Sequence, residues 1–189
     1  LKTMPPAVRA LCKGETKIDG FLAPGHVAVI TGEGPWHQLA AAQGLPFVIS
    51  GFTGEELLCS LYALVRLAGQ GVCKNLYPAA VRPEGNPAAR ALVDRYFEPT
   101  DAAWRGLGIL PGSGLVLRPQ YQHLDAGSAQ LTADAAALSG CRCAQVITGA
   151  IPPTACPLFG TVCTPGTPRG ACMVSGEGSC HNAYLNHRM

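Results

Sequence analysis

Hydrophobic and polar positions fall into short apolar runs separated by stretches of helical period. Val8, Leu11 and Cys12 recur on one side of a helix over residues 5–13. Ile18 to Leu22 then reads as a short buried strand, stopped by Pro24-Gly25, and Pro46-Phe47-Val48-Ile49 as a second, ending at Ser50-Gly51. Thr53-Gly54-Glu55-Glu56 has the form of a capping box, in which the hydroxyl and the carboxylate each satisfy an orphan N–H. The helix it opens should carry Leu57, Leu58, Leu61, Tyr62, Leu64, Val65 and Leu67 and stop near Gly69-Gln70-Gly71. So broad an apolar face suits a helix lying on a sheet. Asn86-Pro87 predicts another helix start, N-cap then proline, continuing to about Phe97. Gly106 to Leu110 is a further strand, running into Pro111-Gly112-Ser113-Gly114, and an Ala-rich helix opened by Thr132 fits between Ala126 and Gly140. Strands alternating with helices predict an α/β fold, a three-layer unit with a mostly parallel sheet over residues 1–118. Residues 119–189 read as a small, irregular, cysteine-rich domain.

Composition narrows the class. Aromatics are only 6% of residues, so the core must rest on Ala, Leu and Val. Charged residues, at 14%, are sparse in a chain that is 48% hydrophobic, which argues against disorder. A formal net charge of +2 is too mild to imply nucleic acid or an anionic membrane as partner. No apolar run approaches the roughly 18–20 residues that span a bilayer, and Leu1-Lys2-Thr3-Met4-Pro5-Pro6 opens no apolar stretch of signal-peptide length. With unpaired cysteines, the simplest expectation is a reducing cytoplasm.

Six of the nine cysteines crowd the last fifty residues: Cys141, Cys143, Cys156, Cys163, Cys172 and Cys180. Pro152, Pro153, Pro157, Pro165 and Pro168, with Gly160, Gly166, Gly170, Gly176 and Gly178, leave little room for regular structure between them. Such a segment builds little apolar core, and its fold should depend on what the sulfurs bind. Three chemistries compete. Disulfides suit a secreted chain, but the cysteine total is odd. Zinc is expected to show paired C-x2-C knuckles, which are absent, although His181 and His187 offer a mixed set. An iron–sulfur cluster takes four thiolates at irregular spacing, often with proline after a ligand, as in Cys156-Pro157, and Leu158-Phe159 would wall it from water. Cys12, Cys59 and Cys73 read as buried small hydrophobes.

Three Gly/Pro loops are candidates to line a crevice at strand ends: Pro24-Gly25-His26, Arg82-Pro83-Glu84-Gly85-Asn86-Pro87, and Pro111-Gly112-Ser113-Gly114. His26 there serves acid–base chemistry or caps a turn; Glu84 is a general base or a partner for Arg82. Gly32-x-Gly34 lacks the third glycine of a dinucleotide fingerprint, and no Gly-Lys-Ser/Thr follows Gly112, so nucleotide binding has no support. Trp36 and Trp104 read as packing residues.

Several strings occur together in order: Gly20-Phe21-Leu22-Ala23-Pro24-Gly25-His26-Val27, Val81-Arg82-Pro83-Glu84-Gly85-Asn86-Pro87, Tyr96-Phe97-Glu98-Pro99 and Trp104-Arg105-Gly106-Leu107-Gly108. Pro111-Gly112-Ser113-Gly114-Leu115, Cys156-Pro157-Leu158-Phe159-Gly160, Cys163-Thr164-Pro165 and Gly170-Ala171-Cys172-Met173-Val174-Ser175 follow. This set resembles the central and C-terminal parts of the hydrogenase maturation factor HypD family. The resemblance implies α/β domains followed by a domain binding a [4Fe-4S] cluster. It further implies the partners HypC, a small chaperone, and HypE, a cyanide donor, in assembling the iron with cyanide and carbon monoxide ligands of [NiFe] hydrogenase. By position, Cys141, Cys156, Cys163 and Cys180 would be ligands, and Cys143 and Cys172 a redox pair like that of ferredoxin:thioredoxin reductase. The choices between Cys141 and Cys143, and between Cys172 and Cys180, stay open. The family's Cys-Gly-Gly-His and Cys-Pro-x-Cys motifs do not occur here, which leads us to expect a truncated chain unable to perform the family reaction alone. A zinc-stabilised α/β interaction module and a general thiol–disulfide oxidoreductase remain as alternatives.

Overall fold

Three apolar runs become one parallel sheet: β1 (Phe21–Pro24), β2 (Phe47–Ser50) and β3 (Cys73–Asn75), in that order. Phe21 lies opposite Phe47, and Phe47 opposite Cys73. Every residue of β2 is buried, so helices cover both sheet faces, as parallel sheets require. The computed structural model describes residues 1–13, 16–104, 106–127 and 140–186. They fall into two compact units, Ile18–Glu98 on one side and Leu1–Lys17 with Pro99–Met189 on the other. Compactness thus divides the chain differently from composition, which suggested a break after residue 118.

In the first unit, two helices missing from the periodicity reading, α2 (Gly25–Thr31) and α3 (Gly34–Gln43), link β1 to β2. Both are short, and Gly32 and Gly44 end them in positive-φ conformations. Trp36 of α3 is buried with its ring 6.4 Å from that of Phe47, which stacks in turn on Phe21 at 4.8 Å. Between β2 and β3 runs α4 (Gly54–Arg66), and α5 (Pro87–Tyr96) follows the sheet. The Asn86 side chain caps α5 by accepting from the Ala89 N–H at 3.0 Å.

The capping box of α4 is present. Glu56 N–H donates to Thr53 Oγ1 at 3.3 Å, while the Glu56 carboxylate accepts from the Thr53 N–H, the Thr53 hydroxyl and the Phe52 N–H, each at 2.9 Å. These bonds hold the Glu56 carboxyl below its ordinary value. A lowered folded-state value contributes stability that is complete above the ordinary carboxylate range and is lost as pH falls through the folded value. Acid titration of wild type should therefore weaken α4 in that range. Glu56→Gln should remove this component of the acid slope, measurable as thermal midpoint against pH.

The face that α4 turns to the sheet differs from expectation. Its buried residues are Ser60 and Ala63, while Leu58, Leu61, Tyr62 and Val65 are exposed, Val65 at 75%. Small residues let the helix lie close to β1 and β2, and the large ones line its outer side. Periodicity alone does not separate the two sides, because both are apolar.

In the second unit, α1 (Met4–Leu11) packs on a two-stranded sheet, β4 (Phe97–Trp104) and β5 (Gly108–Leu117). Their short connection makes the pair antiparallel. Leu1 to Thr3 extend along β5: the Leu1 amine donates to the Leu115 carbonyl, Leu115 N–H to Leu1 and Thr3 N–H to Ser113, each at 2.9 Å. Pro111-Gly112-Ser113-Gly114 is therefore inside a strand, a correction to its reading as a loop. Ser113 is fully buried there; its hydroxyl accepts from the Trp104 indole at 2.8 Å and donates to the Leu110 carbonyl at 2.7 Å. The helix expected between Ala126 and Gly140 lies largely outside the described residues.

Candidate functional site

The crevice candidates do not converge. His26 is exposed in the first turn of α2, its ring 5.3 Å from Phe52. Glu84 is exposed at the other end of that helix, where its loop abuts Gly32. Seven helical residues put roughly 10 Å between the two ends.

The loop instead has a structural task. Glu33 N–H donates to the Pro83 carbonyl at 3.0 Å, and Asn86 N–H to that of Ile30 at 3.1 Å. Gly32 and Gly85, at φ +76° and +69°, face each other so closely that a Cβ on either would strike the other's backbone. Cys12 and Cys73 are partly buried, and Cys59 is exposed, which corrects the expectation that all three are buried. Burial raises the thiol of Cys12 and, with repulsion from Glu33, that of Cys73 to about 12. Neither of these two presents a reactive thiolate near neutrality.

The cysteine-rich segment does converge. Cys143 opens the short helix α6 (Cys143–Ile147), and Cys141 stands two residues before it. Cys156 ends a 3-10 turn over Pro153–Ala155, and its carbonyl accepts from the Phe159 N–H at 2.9 Å. A tight loop follows: Cys163 N–H donates to the Leu158 carbonyl at 2.9 Å, and Gly160 N–H, at φ +72°, to that of Cys163 at 3.0 Å. Cys172 lies in α7 (Ala171–Val174) and Cys180 in α8 (Ser179–Asn186). Five of the six thiols are buried, between 4% and 8% exposed, and Cys141 is intermediate. Val146, Met173, Leu158, Phe159 and Tyr184 pack around them.

The thiols act on one another. Burial raises Cys141 and Cys180, and negative charge on Cys143, Cys156 and Cys163 would raise both further. A hydrogen bond to Cys172 and then burial raise Cys143 strongly. Cys141, Cys143 and Cys180 therefore hold their protons more firmly than ordinary thiols until a cation or a disulfide relieves them. The Arg169 N–H already points at Cys163 Sγ, 3.3 Å away.

Glycines shape the space. A Cβ on Gly170 would come within 2.6 Å of Cys141 Sγ, and one on Gly106 within 3.1 Å of Cys143 Sγ. By donor type, burial and these side-chain-free cradles, the segment fits a thiolate-bound metal cluster. Among the described residues, no group of three or more His, Cys, Asp or Glu side chains could hold a single metal ion as it stands. In a multinuclear cluster, by contrast, each thiolate binds its own metal atom. His181 Nδ1 lies 3.2 Å from the Met173 carbonyl, and His187 is outside the described residues.

The family described as HypD, hydrogenase formation hypA family, matches residues 1–187. The chain belongs to the HypD family. Relatives include the hydrogenase maturation factors HypD of Rhizobium leguminosarum bv. viciae, 41% identical over 97% of this chain, and of Escherichia coli K12, 38% identical over 96%. HypD of Rhodobacter capsulatus is 38% identical over 94% of the chain. The matches cover 49%, 50% and 50% of those three proteins, so this HypD-family chain spans about half the length of the curated relatives it matches. No helix among the described residues is long and apolar enough to cross a membrane.

The residue pattern named Gly170, Gly178 and Met173 but gave them no part in the site. The signal was nonetheless present, because Gly170-Ala171-Cys172 and Gly178-Ser179-Cys180 repeat a Gly-x-Cys spacing. In each repeat the glycine lets backbone or sulfur approach where a side chain would intrude.

Proposed function

We propose that this chain serves hydrogenase maturation as a thiol-rich redox module. In this reading Cys141, Cys156, Cys163 and Cys180 hold a [4Fe-4S] cluster and Cys143 and Cys172 form the neighbouring dithiol. The observation that carries the proposal is the gathering of Cys141, Cys143, Cys163, Cys172 and Cys180 into one small core, with the buried Cys156 near enough to act on the charge of Cys141 and Cys180. Bound there, the cluster would supply one-electron chemistry next to a two-electron dithiol. The protein residues hold the thiolates out of water, and Leu158 and Phe159 pack against them as an apolar wall. Cys143, hydrogen-bonded to Cys172, keeps its proton until oxidation links the two.

The full reaction, assembly of an iron centre with HypC and HypE as partners, belongs in this proposal to a complex that includes this chain. The Cys-Gly-Gly-His and Cys-Pro-x-Cys motifs that the family resemblance associates with it are not in the sequence.

Oxygen-free reconstitution with ferrous iron and sulfide tests the assignment. The chain should bind about four irons and four acid-labile sulfides and absorb broadly near 400 nm. Cys143→Ser should retain both and lose only the dithiol; loss of iron from that variant would reassign Cys143 as a ligand. A colourless chain holding about one zinc would refute the proposal.

A further inference from the structure

Cys172 touches two thiols. Cys143 is hydrogen-bonded to it, and its Sγ lies 3.2 Å from that of Cys180 in a buried contact between α7 and α8. We propose that Cys172 has a second, mutually exclusive covalent partner: in the metal-free chain it closes a disulfide with Cys180, which withdraws Cys180 from metal binding. The bond rests on geometry alone, whereas its effect on iron rests on the ligand role given to Cys180 above.

Several features hold this pair together. Only seven residues separate the two cysteines, so closing their loop costs less chain entropy than linking Cys172 to Cys143. Gly178 lies directly against the Cys172 backbone, where a Cβ would collide with the Cys172 carbonyl. Its N–H donates to the Ser175 carbonyl at 2.9 Å, and Asn182 N–H donates to the Gly178 carbonyl at 2.9 Å. On the far side, His181 Nδ1 meets the Met173 carbonyl at 3.2 Å. The residues flanking each cysteine are therefore tied to those flanking the other, which keeps the two sulfurs close.

Hydrogen peroxide is a suitable oxidant because it is small enough to reach a buried thiol. One sulfur attacks peroxide, the O–O bond breaks, and a sulfenic acid forms with release of water once the thiol proton is taken up. The second sulfur attacks the first, the S–O bond breaks and another water leaves. The two thiols lose two electrons, and one peroxide becomes two waters. While Cys180 is bound to metal it is unavailable, and Cys172 is left with Cys143. Occupancy of the site thus selects which disulfide can form.

The test uses the full chain, stripped of metal by chelator, reduced, treated with stoichiometric peroxide, alkylated and digested with trypsin. Cys172 and Cys180 share the tryptic peptide 170–188, whereas Cys143 lies in 143–169. The expected product is peptide 170–188, unalkylated and two hydrogens lighter, that stays in one piece after cleavage at Glu177. Cys143→Ser should form the same product. A link joining 143–169 to 170–188 as the main product, or no link, overturns the proposal. Peroxide-treated wild type should also lose most of its iron and sulfide uptake and recover it with dithiothreitol. Unchanged uptake by the oxidised chain would overturn the gating effect. Reduced wild type that takes up no iron would instead count against the cluster reading, while the peptide map decides the bond by itself.

Discussion

Cys156→Ser should abolish loading of the proposed cluster and loosen the whole segment from 140 to 186, the largest effect expected of any thiol substitution. Cys156 is buried and, in the ligand set proposed above, is the member that opens the tight Cys156–Cys163 loop. Serine keeps the shape but replaces a soft thiolate by a hydroxyl that stays protonated near neutral pH and binds iron poorly. Without metal, the new hydroxyl is a buried polar group at a site built for sulfur, a cost of about 1–3 kcal/mol if it finds no partner. With metal, the loss is greater, because metal-binding energy is folding energy in segments with so little apolar core. Iron per chain and absorbance near 400 nm should fall to background, and limited proteolysis should cut the segment faster than in loaded wild type. Cys12→Ser, outside the thiol core, should change neither. Full iron content in the Cys156 variant would remove it from the ligand set.

Gly85→Ala should be among the most destabilising changes in the unit Ile18–Glu98. Two costs fall on one methyl group. At φ +69° an L-residue pays about 1–2 kcal/mol for the left-handed backbone. The Cβ would also lie 2.5 Å from the Ile30 carbonyl oxygen and 2.8 Å from the Thr31 carbonyl carbon, overpacking that typically costs about 1–3 kcal/mol. Relief requires breaking the Asn86 N–H bond to Ile30, which joins the loop to α2. The sum, about 2–5 kcal/mol, is a large share of the stability of a small unit. Urea unfolding followed by far-UV circular dichroism measures it. A control at Gly34, whose Cβ would meet nothing within 4 Å, should be nearly neutral. If Gly85→Ala matched that control, the facing-glycine contact would not be the constraint described.

The functional consequence concerns the strings that carry the family likeness. Val81 to Pro87, legible as a motif, lent itself to a catalytic reading through Glu84. Its role in the fold is to supply Gly85 and the Pro83 carbonyl to the end of α2, while the Glu84 side chain points to solvent. The cysteine strings behave differently. Their thiols meet one another in the interior, where Gly170 of the same segment and Gly106 of the β4–β5 connection leave space for them.

Local signals explain what could be read in advance. A capping box, an Asn-Pro helix start and four-residue apolar strands involve neighbours within a few positions, so α4, α5, β1 and β2 were legible. The helices α2 and α3 were not: the seven residues of α2 are about two turns, too few to show a period, and α3 is built largely from Gly34, Pro35 and Ala40 to Ala42, which mark a weak apolar face. The outer face of α4 was misread because apolar residues occupy both sides of that helix, and choosing between them requires knowing that small side chains are what fit against β2.

The order of residues by itself determined that this chain carries an α/β unit and six thiols in a segment rich in proline and glycine. Tertiary structure decided which sulfurs meet, that Cys172 stands between Cys143 and Cys180, and that His26 and Glu84 lie at opposite ends of one helix. Spacing bounds how far apart two residues can be, whereas contact between them depends on how the intervening backbone turns. Here those turns rest on glycines pressed against distant backbone, a steric condition that no interval along the chain records.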